Sequence, residues 1–207
     1  MPAPRTGRQL LAAVRAMAVG TLVLGLAYPL LMTGVAQVVV PGRADGSLVT
    51  GADGAVVGSA LIGQAFVSAD GEPLAQYFQS RPSASGYDGA ASGGSNLGPN
   101  SDELLALVAE RRAAVAQLEG VDLDDVPPDA VTASASGLDP DISPEYAALQ
   151  VDRVAASRSV DPEAVRRLVA GSTSGRDLGV VGAPHVRVLE LNLALDRELG
   201  RAVGAVG

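Results

Sequence analysis

The most distinct hydrophobic feature is a long, mainly apolar run near the start of the chain, where residues 16–40 contain no charged side chain. This stretch reads AMAVGTLVLGLAYPLLMTGVAQVVV and has 25 residues. With a helical rise of about 1.5 Å per residue it would be roughly 37 Å long, and the hydrocarbon core of a bilayer is about 30 Å thick. The pattern therefore predicts one transmembrane helix over residues 16–40.

The charges around this helix are asymmetric. Three arginines and no acidic residue precede it, whereas one arginine and one aspartate follow it closely. Positively charged flanks of a membrane helix stay in the cytoplasm. We therefore expect residues 1–15 to form a cytoplasmic tail and residues 41–207 to form one extracytoplasmic domain.

A cleaved secretory signal is the alternative interpretation of the same stretch. Gly34-Val35-Ala36 would serve as a cleavage site. The apolar part of a signal peptide, however, is about 7–15 residues long, and this run continues through Val40. The length favours a retained anchor.

Short apolar runs followed by a polar stretch predict a hairpin and then a long loop. Residues 47–66 contain two such runs around Asp53-Gly54, a common hairpin turn. Residues 68–99 are rich in Gly, Ser, Pro and Asn, with Tyr77, Phe78 and Tyr87 interspersed. We expect an ordered loop pinned by its aromatic residues.

Capping residues and apolar spacing predict three helices and a last strand. The first helix begins at Asn100 and ends at Gly120, the second begins at Ser143, and the third begins at Asp161. Residues 185–193, HVRVLELNL, predict a strand before a short helical end. The fold class is α+β, with a single N-terminal transmembrane helix and one mixed α/β domain.

Composition excludes several kinds of site. The chain has no cysteine and one histidine, which excludes disulfides and a lipid-modified cysteine and makes zinc very unfavourable. All 15 basic residues are arginine, so a P-loop or Schiff-base lysine is absent. From residue 41 onward 12 arginines face 23 acidic residues, a balance of −11 that disfavours nucleic acid. The acidic pairs lack calcium-loop spacing, so we expect no metal site.

Two chemistries remain as candidates. A serine hydrolase would need His185 with a nucleophile such as Ser95, but Leu97 stands where the nucleophile elbow requires glycine. Small residues at 92–99 and 134–137 precede predicted helices, where backbone N–H groups suit an anion. A nucleotide there would rest on backbone amides, arginines and polar side chains such as Gln150.

Several short motifs are spread along the chain. They are Gly58-Ser59, Leu61-Ile62-Gly63-Gln64, Phe66, Tyr77-Phe78, Arg81-Pro82-Ser83-Ala84, Ser92-Gly93-Gly94-Ser95-Asn96-Leu97-Gly98-Pro99, Thr132-Ala133-Ser134-Ala135-Ser136-Gly137-Leu138-Asp139-Pro140, Gln150, Arg153-Val154-Ala155 and Val188-Leu189-Glu190-Leu191-Asn192-Leu193-Ala194-Leu195-Asp196. Taken together and in this order, they resemble the motifs of one family, the C subunit of the Kdp potassium-transporting ATPase.

The resemblance implies a single-span accessory subunit of a high-affinity potassium pump in the bacterial plasma membrane, without catalytic residues of its own. Its implied partners are a channel-like potassium-translocating subunit, a P-type ATPase subunit and a very small membrane subunit. It implies a role in assembling and stabilising the complex, and a role as a catalytic chaperone that raises the ATP affinity of the ATPase subunit. No intrinsic cofactor is implied; ATP would be met through the ATPase subunit.

The resemblance also suggests which residues would meet a nucleotide, and the loop composition separately suggests a docking surface. Gln150 is implied for the nucleotide contact, beside Ser134, Ser136 and Gly137. The loop at 68–99 is the predicted docking surface, and a structural role within the subunit's own fold is the alternative. The docking candidates are Gln64, Arg81, Pro82, Ser83, Ser92, Gly93, Gly94, Ser95 and Asn96.

The predicted topology conflicts with a direct nucleotide contact, because it places Gln150 outside the cell, away from cytoplasmic ATP. The contact would then be non-physiological, or its effect would reach the ATPase subunit indirectly. Two other functions stay open: a nucleotide-binding regulator acting on its own, and an exported hydrolase using Ser95 and His185.

Overall fold

The computed structural model describes residues 5–176 and 178–200, and the chain divides into two units, residues 1–47 and 48–207. The first unit is almost entirely helical. Helix α1 (Arg5–Gly20), a π-helical segment (Thr21–Ala27) and helix α2 (Tyr28–Val39) follow one another without a break. A short helix α3 (Pro41–Ala44) ends the unit.

Residues 6–39 form one helix of 34 residues that is long and apolar enough to cross a membrane once. Its most apolar 18-residue window has a mean hydropathy of 2.0, and none of that window is buried. The helix starts well before Ala16, so the part of the predicted tail that the structure describes is helical too. Residues 1–4 of that tail lie outside the described residues.

The π-helical segment precedes Pro29, the second residue of α2. Proline has no N–H to donate, and its ring crowds the carbonyl group four residues earlier. A wider helical turn before a proline accommodates both effects, and π-helical turns are the common form of such a widening. The helix therefore passes the proline without ending.

The second unit is a mixed α/β body, as predicted. Strands β1 (Leu48–Thr50) and β2 (Val56–Ser59) form an antiparallel hairpin whose turn includes Asp53 and Gly54. Strands β3 (Asp141–Ile142), β4 (Thr173–Ser174) and β5 (His185–Arg187) form a second antiparallel sheet in the order β3-β5-β4. The remaining elements are α4 (Asp102–Glu119), a 3-10 turn (Leu123–Asp125), α5 (Pro128–Val131), α6 (Pro144–Arg158), α7 (Pro162–Ser172) and α8 (Val188–Glu198).

The core lies where α6, α7 and α8 pack against one another and against β5. Its fully buried members include Val154 of α6, Val165 of α7 and Leu191 of α8. Phe78, from the long loop, is fully buried in the same core. Residues 68–99 contain neither helix nor strand, and aromatic residues do pin them, as predicted.

Two local predictions are wrong. The strand predicted over residues 185–193 stops at Arg187, and α8 begins at Val188. The helix buries Val188, Leu191, Asn192 and Leu195, which share one helical face, so burial against α6 and α7 outweighs the two-residue alternation. The cap of α4 is Ser101 rather than Asn100, and its hydroxyl accepts from Leu104 N.

Candidate functional site

Two carboxamide side chains hold the middle of the long loop. Gln150 of α6 accepts from Gln79 N at 2.6 Å and donates to Gln79 O at 3.1 Å. Asn192 of α8 accepts from Phe78 N at 2.9 Å and donates to Phe78 O at 3.0 Å. Each side chain thus satisfies both polar groups of one loop residue, as a neighbouring strand would.

Two arginines of α6 complete this clamp, which we define as the side chains that bind residues 75–79. Arg153 donates from Nη1 to the carbonyl oxygens of Ala75 and Tyr77, at 2.6 and 2.9 Å. Arg158 donates from Nε to Gln76 O at 2.7 Å. Every carbonyl from residue 75 to 79 therefore accepts a bond from a side chain of α6 or α8.

The charge of Arg153 is balanced by Glu119 at the end of α4. Arg153 Nε lies 2.9 Å from Glu119 Oε2, and the two side chains are 7% and 0% exposed. The other carboxylate oxygen, Oε1, is buried without a hydrogen-bond partner. Burial raises the pKa of the Glu119 carboxyl above its ordinary value, and the guanidinium only partly opposes that rise.

Arg158 joins the loop to α8. Its Nη2 lies 2.8 Å from Asp196 Oδ1, and its guanidinium carbon lies 5.0 Å from the centroid of the Tyr77 ring. The Tyr77 hydroxyl donates to Asp196 Oδ2 at 3.0 Å. The loop is thus fixed by hydrogen bonds, by charge and by a cation–π contact.

The clamp determines how accessible Gln150, the residue implied for a nucleotide contact, is to a ligand. Its side chain is fully buried, and its Oε1 accepts from both Gln79 N and Arg153 Nη2. A ligand could reach this amide only if residues 75–79 moved away from α6. In the described conformation Gln150 holds the fold together.

The stretch 134–137 lies in a separate contact with the long loop. Gly137 O accepts from Ser83 Oγ at 2.6 Å and from Ser85 Oγ at 3.1 Å. Ser136 O accepts from Gly93 N at 2.8 Å. Within the described residues no hydrogen bond joins Ser134, Ser136 or Gly137 to Gln150, so the implied nucleotide residues belong to two different networks.

Close backbone approach explains the small residues at this contact. Gly137 has φ +68°, and a Cβ there would lie 2.6 Å from Gly93 O. A Cβ on Gly94 would lie 3.2 Å from Ala135 O. Packing therefore accounts for the glycines at 94 and 137 without an anion, whereas a Cβ on Gly93 or Gly98 would meet open space.

Most of the predicted docking candidates are engaged inside the body. Arg81 forms an ion pair with Asp139 at 2.7 Å and donates to Thr132 O. Gln64 donates to Val57 O at 2.7 Å. Pro82, Ser83, Gly93 and Gly94 are half-buried, whereas Ser92, Ser95 and Asn96 are exposed. These contacts give part of the loop a structural role within the body, and docking through its exposed residues stays a prediction.

Ser95 and His185 are not brought together as a catalytic pair. The Ser95 hydroxyl accepts from Leu97 N at 3.5 Å. His185 lies 3.2 Å from Ala183 O through Nδ1 and 3.8 Å from Asp141 Oδ2 through Nε2. Across residues 5–176 and 178–200, no group of three or more acidic, histidine or cysteine side chains is placed to hold a metal ion.

The clamp residues Asn192, Arg153 and Arg158, and Glu119, which pairs with Arg153, were given no role by sequence reasoning. One signal was available for Asn192, because it is a polar residue on the face of a helix whose other members are apolar. The arginines carried no such signal. Their partners in the loop lie 76 to 82 residues away in the chain, and their acidic partners lie 34 and 38 residues away.

Comparison with known proteins gives a consistent result. The family model "KdpC: K+-transporting ATPase, c chain" matches residues 10–197. The potassium-transporting ATPase KdpC subunit of Kineococcus radiotolerans is 56% identical over 179 residues, covering 86% of this chain and 87% of that protein. The corresponding subunit of Gemmatimonas aurantiaca is 53% identical over 178 residues, 84% and 85% of the two chains. That of Burkholderia vietnamiensis is 52% identical over 187 residues, 88% and 93%. The chain therefore belongs to the KdpC family, the C subunits of K+-transporting ATPases.

Proposed function

We propose that this chain is a non-catalytic accessory subunit that assembles and stabilises a potassium-transporting ATPase in the bacterial plasma membrane. Its partners are a channel-like potassium-translocating subunit, a P-type ATPase subunit and a very small membrane subunit. Membership of the KdpC family is the observation that carries the proposal. The further features of the chain agree with it.

The apolar helix supports an anchoring role. A helix of 34 residues with no buried residue in its most apolar window is costly to leave in water and favourable to place in a bilayer. Anchoring would also raise the effective concentration of the body at its partners. The arginines before the helix support a cytoplasmic N-terminus and an extracytoplasmic body.

The non-catalytic assignment is supported by the candidate residues themselves. Ser95 and His185 have other hydrogen-bond partners, and the chain has no lysine. Several side chains of the loop, including Tyr77, Arg81 and Ser83, bind other parts of the body. A body of this kind suits the role of a rigid docking partner.

Assembly can be tested by purifying the complex through a tag on the ATPase subunit. The full chain is compared with residues 41–207 fused to a cleavable export signal, so that both bodies reach the same compartment. We expect the full chain to co-purify and the unanchored body to be recovered at least tenfold less. Equal recovery would contradict the anchoring role, and failure of the full chain to co-purify would contradict the accessory role.

We also propose that this subunit raises the ATP affinity of the ATPase subunit indirectly, through the shape of its body. The support is the buried state of Gln150, whose amide is occupied by Gln79 and Arg153. An indirect effect depends on the whole clamp. A direct nucleotide contact depends on Gln150 alone.

The direct and the indirect mechanism predict different effects of removing the Asn192 side chain, so the Asn192→Ala variant is a matched control. Both Gln150→Ala and Asn192→Ala remove a carboxamide that binds the loop backbone. If the effect is indirect, both variants raise the KM for ATP of the assembled complex to a similar extent. An increase with Gln150→Ala alone would support direct nucleotide binding, as would ATP photolabelling that Gln150→Ala abolishes.

A further inference from the structure

The segment between β4 and β5 carries three strongly exposed apolar side chains. Leu178 is 95% exposed, Val180 is 76% exposed and Val181 is 57% exposed. Single exposed apolar residues are common on protein surfaces, but three within four positions form a patch. We call these three residues the apolar tip.

The backbone presents the tip outward. Leu178 has φ +53°, a left-handed conformation that residues with a Cβ rarely adopt. Gly179 and Gly182, with φ of +77° and +81°, make the turns on either side of the two valines. β4, at the base of the segment, is an edge strand of its sheet.

An acidic groove lies beside the tip. Its lining includes Val181 and residues 182–185, three aspartates (Asp129, Asp139 and Asp141) and one arginine, Arg81. Asp139 pairs with Arg81, and Asp129 accepts from Ser143. Asp141 Oδ1 is buried without a hydrogen-bond partner, but the side chain is 31% exposed and its Oδ2 lies 3.8 Å from His185 Nε2, so Oδ2 is the oxygen that a partner could reach.

We propose that the apolar tip and this groove form a docking surface for a partner subunit of the ATPase, which places an arginine or lysine beside apolar side chains. The apolar tip would supply buried area, and Asp141 would accept from the partner's cationic side chain. This inference rests on the proposed function and names the surface through which the body acts.

The negative charge of the body favours a protein partner over a lipid surface at this site. From residue 41 onward the chain has a balance of −11, and an acidic groove borders the tip. Anionic lipid headgroups would be repelled by both features. A protein segment with a positive charge next to apolar residues complements them.

The absence of cysteine makes a site-specific test direct. Val180→Cys in the full chain, co-expressed with the other subunits, is labelled with a benzophenone maleimide and irradiated in membranes. We expect a crosslink to a partner subunit at a segment that contains arginine or lysine. Leu123→Cys, at another exposed apolar residue of the body, is the matched control and should give at least fivefold less product.

Two further variants test whether the apolar tip and the charge of Asp141 both contribute to docking. Leu178→Ser changes a side chain that is 95% exposed, so folding is not at risk, and it should lower the crosslink yield severalfold. Asp141→Asn should do the same by removing the acceptor charge.

Crosslinks to lipid alone, crosslinks to a second copy of this chain, or equal yields from the Val180→Cys and Leu123→Cys variants would each overturn the inference. Purification through the ATPase subunit separates this failure from that of the proposed function. If the labelled chain co-purifies but gives no partner crosslink, only the docking surface is wrong. If the unlabelled full chain does not co-purify, the proposed function itself fails.

Discussion

Gln150 on α6 and Asn192 on α8 bind the peptide groups of two consecutive loop residues, at distances between 2.6 and 3.1 Å. The two side chains replace the strand that would otherwise satisfy Phe78 and Gln79. Through these bonds, a loop stretch that contains neither helix nor strand is held in the core. The long loop is therefore a structural element of the body, held in place by helices that follow it in the chain.

Removing either carboxamide should destabilise the body strongly. Asn192→Ala leaves the buried N–H and C=O of Phe78 without partners, and Gln150→Ala does the same to the half-buried N–H and C=O of Gln79. Each buried group left in this way costs about 1–3 kcal/mol. We expect the free energy of unfolding of the full chain in detergent to fall by about 3 kcal/mol. Urea titration followed by circular dichroism measures this change. Gln117→Ala, at an exposed position of α4, is the control, and a loss below about 1 kcal/mol at Gln150 would contradict the clamp.

Two glycines have nearly the same backbone conformation but different surroundings. Comparing their alanine variants separates the cost of backbone strain from the cost of close packing. Gly137 and Gly120 have φ of +68° and +69°, but a Cβ meets Gly93 O at 2.6 Å only in the first case and open space in the second. Gly120→Ala should cost about 1 kcal/mol from backbone conformation alone. Gly137→Ala should cost clearly more, as measured by thermal unfolding. Equal losses would show that the contact between 83–93 and 134–137 is not tight.

The buried carboxyl of Glu119 predicts a specific pH dependence. Because the folded state raises its pKa, ionisation is easier in the unfolded chain, and stability is lost as pH rises through the folded-state value. Glu119→Gln cannot ionise, so the stability of the wild-type protein relative to this variant should fall as pH rises above the ordinary carboxyl range. Unfolding free energies of both proteins between acidic and neutral pH test this. A relative gain for the wild type would mean that the Arg153 pair outweighs burial.

The hydrogen bonds of Ser95 and His185 predict that neither residue takes part in chemistry. Measured per mole of purified complex, so that any effect of His185 on docking through the neighbouring groove is separated from chemistry, Ser95→Ala and His185→Ala should leave the potassium-dependent ATP hydrolysis unchanged within about twofold. Ser95 contributes one weak hydrogen bond to the body, and His185 contributes one hydrogen bond and a 3.8 Å contact with Asp141. A loss of activity in either variant, with assembly intact, would return the hydrolase alternative to consideration.

Local signals in the sequence predicted the elements that depend on local structure. Ser143 and Asp161 cap α6 and α7 as expected, and Gly120 ends α4 in a left-handed conformation. The apolar stretch predicted the long N-terminal helix, although not its start at Arg5. These features are set by residues within a few positions of one another, so a single sequence contains the information.

The clamp was beyond local reasoning because its partners are far apart in the chain. Gln150 and Gln79 are separated by 71 residues, and Asn192 and Phe78 by 114. Residues 185–193 carried both an alternating and a helical pattern, and only packing against α6 and α7 decided between them. The family motifs did predict the family, which the comparisons confirm, but they gave no structural role to Asn192 or Arg153.

The sidedness of the body tests the central claim most directly. Because the chain has no cysteine, Thr6→Cys and Asp124→Cys each introduce one reactive group, in the helical tail and on the exposed surface of the body. Spheroplasts that express either full chain are treated with a membrane-impermeant maleimide before and after permeabilisation. We predict that Asp124→Cys is labelled at once and that Thr6→Cys is labelled only after permeabilisation. The reverse pattern, or a mature chain that lacks residue 6, would contradict an anchored accessory subunit with its body outside the cell.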